Sequence, residues 1–419
     1  MTEKKIKILT LSDHPLSPSG VGTQTRYIIE GMLATGRYQF ISFGGAMKHD
    51  QYQPQKTEEW GEDWIIFPVD GYGSQDQIRS VLRQYRPDIL YFMTDPRFYG
   101  WLWDIENEIR PHVPMVYYHV WDNYPYPKFN ALPYKSNDYI ACISKLTYDV
   151  VSTVAPEVHS SYVPHAVEPG IFQKRPKDQV QKFRAEHNID PEKMIFFWNN
   201  RNARRKQSGT LIWWFKEFLD TIGHDKAILI MHTDPKDIHG QDLEAIMHEV
   251  GLVNGQVQLS KEKIDPVRLS MMYNMADCTI NISDAEGFGL ATLESLSCET
   301  PIIVNMTGGL QEQITDGENW FGIGLTPASK AVIGSQDVPY IFEDRLNKQD
   351  FIDSLVKFYN TSLEDREEMG RLGSLYVRKN YNFENFIKTW DELFTTVNEE
   401  AGSWSTRKNY QPYKFMEIK

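Results

Sequence analysis

The 419-residue sequence places two glutamates eight positions apart in the stretch DAEGFGLATLES. Glu286 lies beside Gly287 and Gly289, and Glu294 follows where the pattern predicts the second turn of a helix. At about 1.5 Å rise per residue, the two carboxylates should lie roughly 10 Å apart. A glycosidase pair needs to be closer, at about 5 to 9.5 Å across one bond. The spacing therefore favours a pair that straddles a larger ligand, with a helix N-terminus between the carboxylates that suits phosphate.

A dense basic cluster lies upstream in FFWNNRNARRKQ, residues 196–207, directly after an apolar run that predicts a strand. Arginine can bind phosphate through two N–H groups at once, and lysine adds a compact positive charge. We expect a diphosphate to bind Arg201 together with Lys206, because this loop follows a buried strand. Arg204 and Arg205 are interpreted as solvated surface charge, which is the ordinary state of a run of charged residues.

Glycines also follow the first predicted strand, in HPLSPSGVGTQT at residues 14–25. Gly20 and Gly22 would let the backbone approach a ligand, and a helix predicted from about Gly22 would point its N–H groups there. The stretch is not a dinucleotide fingerprint, since Thr25 occupies the third glycine position and the second strand ends without an acidic residue. A phosphate-facing loop and a plain tight turn are both compatible with these residues.

Two further strand ends carry polar groups. Gly308 and Gly309, in NMTGGLQEQI, are predicted to precede another helix with Glu312 in its first turn, where the helix dipole favours an acidic residue. His119 ends a predicted strand in MVYYHVWDNYP. From the residues alone, a single histidine in that position is more often structural than catalytic.

The elements that would position these loops alternate along the chain. Short apolar runs and longer amphipathic runs follow one another, which predicts an α/β fold with mainly parallel sheets and helices on both faces. The pattern loosens over 164–192, which we interpret as an interdomain connection with a short helix at about 178–188. Alternation restarts at residue 194. Residues 326–349 are predicted to be an irregular insertion, and a strong helix is predicted to close the fold over 381–397.

The composition is that of a globular protein, with 41% hydrophobic and 24% charged residues. A net charge of −13 argues against a general affinity for nucleic acid. Three cysteines without a CxxC pair favour a reduced, cytoplasmic protein, and no apolar run is long enough to span a bilayer. Arg79, Arg83 and Arg86 lie near one face of a predicted helix, which is an ordinary exposed face or a peripheral membrane contact.

The stretch NISDAEGFGLATLESLSCETPIIVNMTGGLQEQITDGENWFGI resembles the signature region of retaining glycosyltransferases with two Rossmann-like domains, in particular glycosyltransferase family four. That family carries two glutamates separated by seven residues, followed by GGxxE. The residues that match in order are Glu286, Gly287, Phe288, Gly289, Leu290, Glu294, Gly308, Gly309 and Glu312. Upstream, NNRNARRK resembles the family's Arg and Lys diphosphate clamp, and SGVGT resembles its N-terminal glycine loop. His165 stands where asparagine is usual.

The resemblance implies a role for each residue. Arg201 and Lys206, with Gly20 and Gly22, would bind the donor diphosphate. Glu294 would bind the ribose hydroxyls of a nucleotide sugar, and the residues that follow Glu286 would meet its phosphates and sugar, namely Gly287, Phe288, Gly289 and Leu290. Glu286 itself would lie beside the transferred sugar. His119 would face that sugar as a positioning or charge-stabilising group, although Val120 and Trp121 replace the aspartate that usually follows directly.

The resemblance also implies the fold and the reaction. The fold would be GT-B, with residues 1–175 as the acceptor-side domain, joined by the tail 400–419, and residues 190–399 as the donor-binding domain. The reaction would be retaining transfer of a sugar from a UDP- or GDP-linked donor to a hydroxyl acceptor (a glycan, a lipid-linked or a small molecule) without a metal or other cofactor. The alternatives are a non-catalytic partner subunit, a nucleotide-sugar epimerase and, disfavoured by the charge, a DNA-modifying glucosyltransferase.

Overall fold

Two parallel sheets organise the protein, for which a computed structural model describes residues 4–410. The strands are β1 Ile6–Asp13, β2 Tyr38–Gly45, β3 Gln55–Lys56, β4 Trp64–Pro68, β5 Ile89–Thr94, β6 Met115–His119, β7 Tyr139–Cys142, β8 Ser160–Tyr162, β9 Met194–Asn199, β10 Ala227–His232, β11 Val257–Ser260, β12 Cys278–Asn281, β13 Ile302–Asn305, β14 Gly322–Leu325, β15 Ser329–Ile333 and β16 Ile341–Arg345. The chain therefore builds the two sheets in succession, as the alternation predicts.

Helices connect the strands and cover both faces of each sheet. They are α1 Gly20–Ala34, α2 Gln75–Tyr85, α3 Gly100–Trp103, α4 Glu106–Ile109, α5 Ala131–Lys135, α6 Lys145–Val154, α7 Lys177–Glu186, α8 Ser208–Ile222, α9 Leu243–Glu249, α10 Pro266–Met275, α11 Leu290–Ser297, α12 Lys348–Asn360, α13 Leu363–Asn380 and α14 Phe383–Ala401. Short 3₁₀ turns include Arg204–Lys206 and Gly308–Glu312. Within residues 4–410, none of the helices combines the length and apolarity that a bilayer crossing requires.

Each sheet is doubly wound. The first has the order β3-β4-β2-β1-β5-β6-β7-β8, in which β3 alone is antiparallel to its neighbour. The second has the order β11-β10-β9-β12-β13-β14 and is parallel throughout. In both sheets the chain extends first to one side of the opening strand and then to the other, which leaves a crevice between β1 and β5 and between β9 and β12. Ligands of such sheets bind at the carboxyl ends of these strands.

Local signals determine many of the boundaries. Helix α10 begins at Pro266, because Asp265 accepts a hydrogen bond from the backbone N–H of Arg268 and proline is favoured at the first helical position. Strands β5 and β6 are buried along their whole length, as their continuous apolar sequences indicate.

The segment 326–349 differs from its prediction, since it contains an antiparallel hairpin of β15 and β16. Strand β15 is largely exposed and its sequence, SKAVI, lacks the apolar alternation that marks a strand, so the hairpin is not evident from the sequence. Contacts with the first sheet domain hold it in place. The Phe342 N–H donates to the Tyr124 carbonyl at 2.7 Å, and the rings of Tyr340 and Phe129 pack with centroids 5.0 Å apart. The prediction of irregular structure was wrong because the stabilising partners are distant in sequence.

Helix α14 returns the chain to the first sheet. Its apolar face carries Trp390, whose buried ring packs edge-on against Tyr91 of β5 and Tyr118 of β6, with centroids 5.4 and 4.8 Å apart. Beyond the helix, the Trp404 indole donates to the Pro87 carbonyl at 2.9 Å. These contacts anchor the end of the second half of the chain on the first sheet.

The domain bounds drawn from the sequence stay a prediction, and residues 411–419 of the predicted tail lie outside the described residues.

Replacing Trp390 by alanine is expected to lower the free energy of unfolding by about 3–5 kcal/mol, because it leaves a cavity between α14 and the sheet. Chemical denaturation followed by far-ultraviolet circular dichroism measures the loss. Trp213→Ala on α8 is the matched control, since this side chain is 47% exposed and its removal should cost less than about 1 kcal/mol. Equal losses in the two variants would contradict the role assigned to Trp390.

Candidate active site

The loop after β12 carries Glu286 into the interior of the cleft. The Asn281 side-chain oxygen accepts from the Ser283 backbone N–H at 3.1 Å, which turns the chain as the strand ends. Gly289 then begins α11 with a φ of +93°, in the left-handed region, and a Cβ there would meet Leu310 Cδ2 at 2.5 Å. Only glycine fits this backbone and this packing. The turn leaves Glu286 9% exposed, facing the loop after β9.

Lys206 and Glu286 form a buried ion pair. Lys206, itself 7% exposed, donates from Nζ to Glu286 Oε2, and Asn281 Nδ2 donates to the same oxygen at 3.4 Å. Burial would raise the pKa of Glu286, but the charges of Lys206 and Arg205 hold it below its ordinary value. Glu286 is therefore an ionised carboxylate with a fixed orientation. The structure brings these two residues of the predicted site into direct contact.

The three arginines of the same loop point in different directions. Arg201 is 62% exposed and donates from Nε to Asp237 Oδ2 at 2.6 Å, beyond the end of β10. Arg204 pairs with Glu343 of β16. Arg205, which the sequence assigns to the solvated surface, instead enters the cleft. The structure therefore does not place the Arg201 guanidinium beside Lys206, and the role predicted for Arg201 stays a prediction.

Arg205 faces a carboxylate of the first domain. Its Nη1 donates to the Ala285 carbonyl at 2.9 Å, and its Nε lies 3.3 Å from Asp122 Oδ2, on the loop after β6. Asp95, at the end of β5, belongs to the same electrostatic group: burial raises its pKa to about 6, against the opposing charges of Arg97 and Arg205. The sequence analysis missed Arg205 and Asp122. The signal for Asp122 is its position as the first acidic residue after a buried strand end.

Glu294 lies on α11 at the far side of the Glu286 loop. It accepts a hydrogen bond from the Tyr273 hydroxyl at 2.7 Å, and Asn199 donates to that hydroxyl at 2.8 Å. Burial raises the pKa of Glu294 to about 7, so its carboxyl group titrates near neutral pH. The two glutamates thus have different protonation behaviour. Tyr273 is a further residue that the motif did not identify.

The glycine loop after β1 approaches α11 across the cleft. Ser19 caps α1 by accepting from the Gly22 N–H at 3.0 Å. A Cβ on Gly20 would meet Leu290 Cδ1 at 2.9 Å, and a Cβ on Gly22 would meet the His14 carbonyl at 2.6 Å. These positions admit only hydrogen without local movement. The structure therefore brings Gly20 next to Leu290 and directs the N-terminus of α1 towards the second domain.

Two aromatic residues of the predicted site lie inside the protein. His119 is fully buried, with Nδ1 3.1 Å from the Tyr117 hydroxyl and Nε2 2.7 Å from the Tyr134 hydroxyl. Burial lowers its pKa to about 3, so the ring is neutral. Phe288 is also buried and packs edge-on against His165 with centroids 4.8 Å apart. In this conformation neither side chain is open to the cleft, and a contact of His119 with a sugar stays a prediction.

Glu312 does not lie in the first turn of a helix that begins after Gly308 and Gly309, so this prediction was wrong. The residues Gly308–Glu312 form a 3₁₀ turn that Glu312 ends. Its carboxylate accepts from the Lys145 backbone N–H, at the start of α6, and from the Tyr162 hydroxyl, both at 2.8 Å. The carboxylate therefore interacts favourably with the N-terminus of a helix in the other domain. Gly308 is needed for close approach, since a Cβ would lie 1.8 Å from the Glu286 carbonyl.

The chain resembles known glycosyltransferases over part of its length and matches their fold throughout. Residues 179–371 match the family model for glycosyl transferases group 1. A D-inositol 3-phosphate glycosyltransferase from Segniliparus rotundus is 24% identical over 154 residues, or 37% of this chain and 33% of the relative. A second, from Paenarthrobacter aurescens, is 26% identical over 32% of this chain and 28% of the relative. The match spans about a third of the length of these relatives.

Solved structures match the whole fold. Sucrose-phosphate synthase from Thermosynechococcus elongatus superposes with a TM-score of 0.74 at 15% identity and covers 94% of this chain and 100% of that one. Anabaena HepE in complex with UDP-glucose superposes with a TM-score of 0.67 at 14% identity, over 93% of this chain and 100% of that one. The protein therefore has the GT-B fold. Within it, residues 179–371 form a domain of the glycosyl transferases group 1 family.

Replacing Lys206 by methionine is expected to lower the free energy of unfolding by about 3–5 kcal/mol, because Glu286 is left as an uncompensated buried charge. Adding Glu286→Gln should recover part of the loss. Lys216→Met is the matched control, since Lys216 pairs with Asp220 at the surface and contributes less than about 1 kcal/mol. Chemical denaturation measures all three variants. If Lys206→Met lowers the free energy of unfolding no more than the control does, the Lys206–Glu286 pair does not have the energetics of a buried ion pair.

Proposed function

We propose that the protein is a retaining glycosyltransferase that moves a sugar from a nucleoside-diphosphate donor to a hydroxyl acceptor. The observation that carries the proposal is the Lys206–Glu286 pair, buried between two doubly wound domains at the start of α11. Helix N-termini and positive side chains at the carboxyl ends of parallel strands suit a diphosphate. The group 1 family match over residues 179–371 supports the same class of reaction.

The donor in this proposal is a UDP- or GDP-linked sugar. The HepE structures are complexes with UDP and with UDP-glucose. We place the diphosphate against Lys206 and the N-terminus of α11, and the ribose hydroxyls against Glu294. Glu286 would then lie beside the transferred sugar, on the acceptor side of the diphosphate. The acceptor is a hydroxyl compound, in our proposal a carbohydrate.

The proposed reaction needs charge stabilisation more than proton transfer. When the bond to the sugar breaks, the nucleoside diphosphate leaves on the same face that the acceptor attacks, which retains the configuration. Fixed cations and helix N–H groups that face the developing charge are the largest catalytic contribution available in such a site. We propose that Lys206, Arg201 and the helix N-termini supply this charge in place of a divalent cation.

The three buried, unpaired cysteines support a reducing compartment such as the cytoplasm.

Isothermal calorimetry against UDP, GDP, ADP and their common sugar conjugates tests the proposal. One nucleoside diphosphate should bind selectively, with equal affinity in magnesium and in a chelator, because side chains replace the cation. Product analysis with the selected donor should then show transfer with retention. Transfer that requires a divalent metal would contradict the proposed metal independence. Epimerisation of the donor without an acceptor would indicate the epimerase alternative. Absence of binding to every nucleotide and nucleotide sugar tested would indicate a non-catalytic subunit.

Glu286→Gln is the corresponding variant for catalysis. It should lower the transfer rate by about 100-fold or more, because an oriented carboxylate beside the sugar is lost while its shape is kept. Glu318→Gln, at an exposed turn, is the matched control and should leave the rate unchanged. Thermal unfolding of both variants separates loss of function from loss of fold. Near-normal transfer by Glu286→Gln would overturn the site assignment.

Donor affinity should depend on the ionisation of Glu294. The carboxylate can accept hydrogen bonds from both ribose hydroxyls, whereas the protonated acid is a weaker acceptor. Donor binding should therefore weaken as the pH falls below the Glu294 pKa of about 7. For a single group, this gives about tenfold tighter binding at pH 8 than at pH 6. A nucleotide sugar is the proper probe, because its esterified diphosphate lacks the ionisation near pH 6 of a terminal phosphate. Calorimetry should show the dependence in the native protein and lose it in Glu294→Gln.

A further inference from the structure

The basic loop after β9 offers more arginines than a diphosphate needs, and each has a different counter-charge. Arg201 and Arg204 are paired with carboxylates of the second domain, Asp237 and Glu343. Both side chains are more than half exposed, at 62% and 58%. Arg205 is 35% exposed and its counter-charge, Asp122, belongs to the opposite domain. Of these three arginines, Arg205 is the one whose ion-pair partner belongs to the opposite domain.

The backbone around Arg205 holds this position. Its carbonyl accepts from the Asp284 N–H at 2.8 Å, which joins the loop after β9 to the loop that carries Glu286. Its Nη1 donates to the Ala285 carbonyl at 2.9 Å, one residue before Glu286. These two hydrogen bonds to the same neighbouring loop fix the backbone of Arg205 and the tip of its side chain. The guanidinium is therefore held beside the Lys206–Glu286 pair.

The partner of Arg205 is placed where an anionic ligand would be. Asp122 lies against the start of the Glu286 loop, since a Cβ on Gly287 would approach Asp122 Oδ1 to 3.0 Å. Carboxylate and phosphate oxygens bind a guanidinium through the same geometry. Asp122 engages Arg205 through Nε at 3.3 Å, and the guanidinium carries five N–H donors in all, so further donors can serve a ligand.

We infer that Arg205 is a diphosphate-binding residue of the donor site, and that Asp122 occupies its guanidinium until the donor arrives. This inference rests on the proposed function. It adds a residue outside the predicted Arg201 and Lys206 clamp and assigns Asp122 as a competing anion. Donor binding exchanges the Asp122 carboxylate for phosphate oxygens, with no covalent step. Because Asp122 belongs to the first domain, the exchange also releases one charged contact between the domains.

Calorimetry with the nucleoside diphosphate selected in the panel tests the inference. Arg205→Gln should weaken binding by about tenfold or more, the effect of losing a charge-assisted hydrogen bond to phosphate. Arg205→Lys should restore part of the affinity. Arg204→Gln is the matched control from the same turn and should stay within about twofold of the native protein. Asp122→Asn should tighten binding several-fold, because it removes the competing charge and keeps the side-chain shape.

The matching nucleoside, which lacks phosphate, separates a ligand contact from a structural effect. Its affinity should be the same for the native protein and Arg205→Gln. The inference is overturned if Arg205→Gln weakens nucleoside and diphosphate binding equally, or weakens the diphosphate no more than Arg204→Gln does. It is also overturned if Arg201→Gln abolishes binding while Arg205→Gln has no effect. Failure of the native protein to bind any nucleotide would instead defeat the proposed function and the inference with it.

Discussion

The buried ion pair between Lys206 and Glu286 connects two loops that leave the neighbouring strands β9 and β12. Separating opposite charges in a site with little solvent is costly, so the conformation of each loop depends on that of the other. The hydrogen bond from the Asp284 N–H to the Arg205 carbonyl adds a backbone connection between the same loops. The doubly wound strand order makes this arrangement available, because β9 and β12 meet at the switch point and end at the same edge of the sheet.

The first domain completes this site with polar groups of its own. Asn123 donates from Nδ2 to Asp344 Oδ2 of the hairpin at 2.7 Å, next to the Asp122 contact with Arg205. On the other side of the Gly308 turn, Glu312 accepts from Lys145 at the start of α6. Each of these contacts joins the two domains across the cleft. A ligand that replaces one of these interdomain contacts alters the interaction between the domains as well as the interactions within the site.

The sequence predicted the framework of this protein well, because its buried strands are continuous apolar runs and its helices carry local capping residues. It also located Glu286 and Lys206 on loops at the carboxyl ends of strands and Glu294 on the helix that follows, where the structure has them. It failed where the direction of a side chain depends on a distant partner. Arg201 and Arg205 are both arginines on the same loop, and Asp237 and Asp122, far away in the chain, decide which one enters the cleft.

The same distinction applies to the hairpin 329–345 and to Glu312. Contacts with the first domain, more than 140 residues earlier in the sequence, help to order both. Local composition carries no record of such partners. The sequence by itself therefore determined the α/β alternation, the GT-B fold that its motif implied and the residue types available at the cleft. Only the tertiary structure decided which charges meet there, because the energy of a charge depends on what lies within a few ångströms of it.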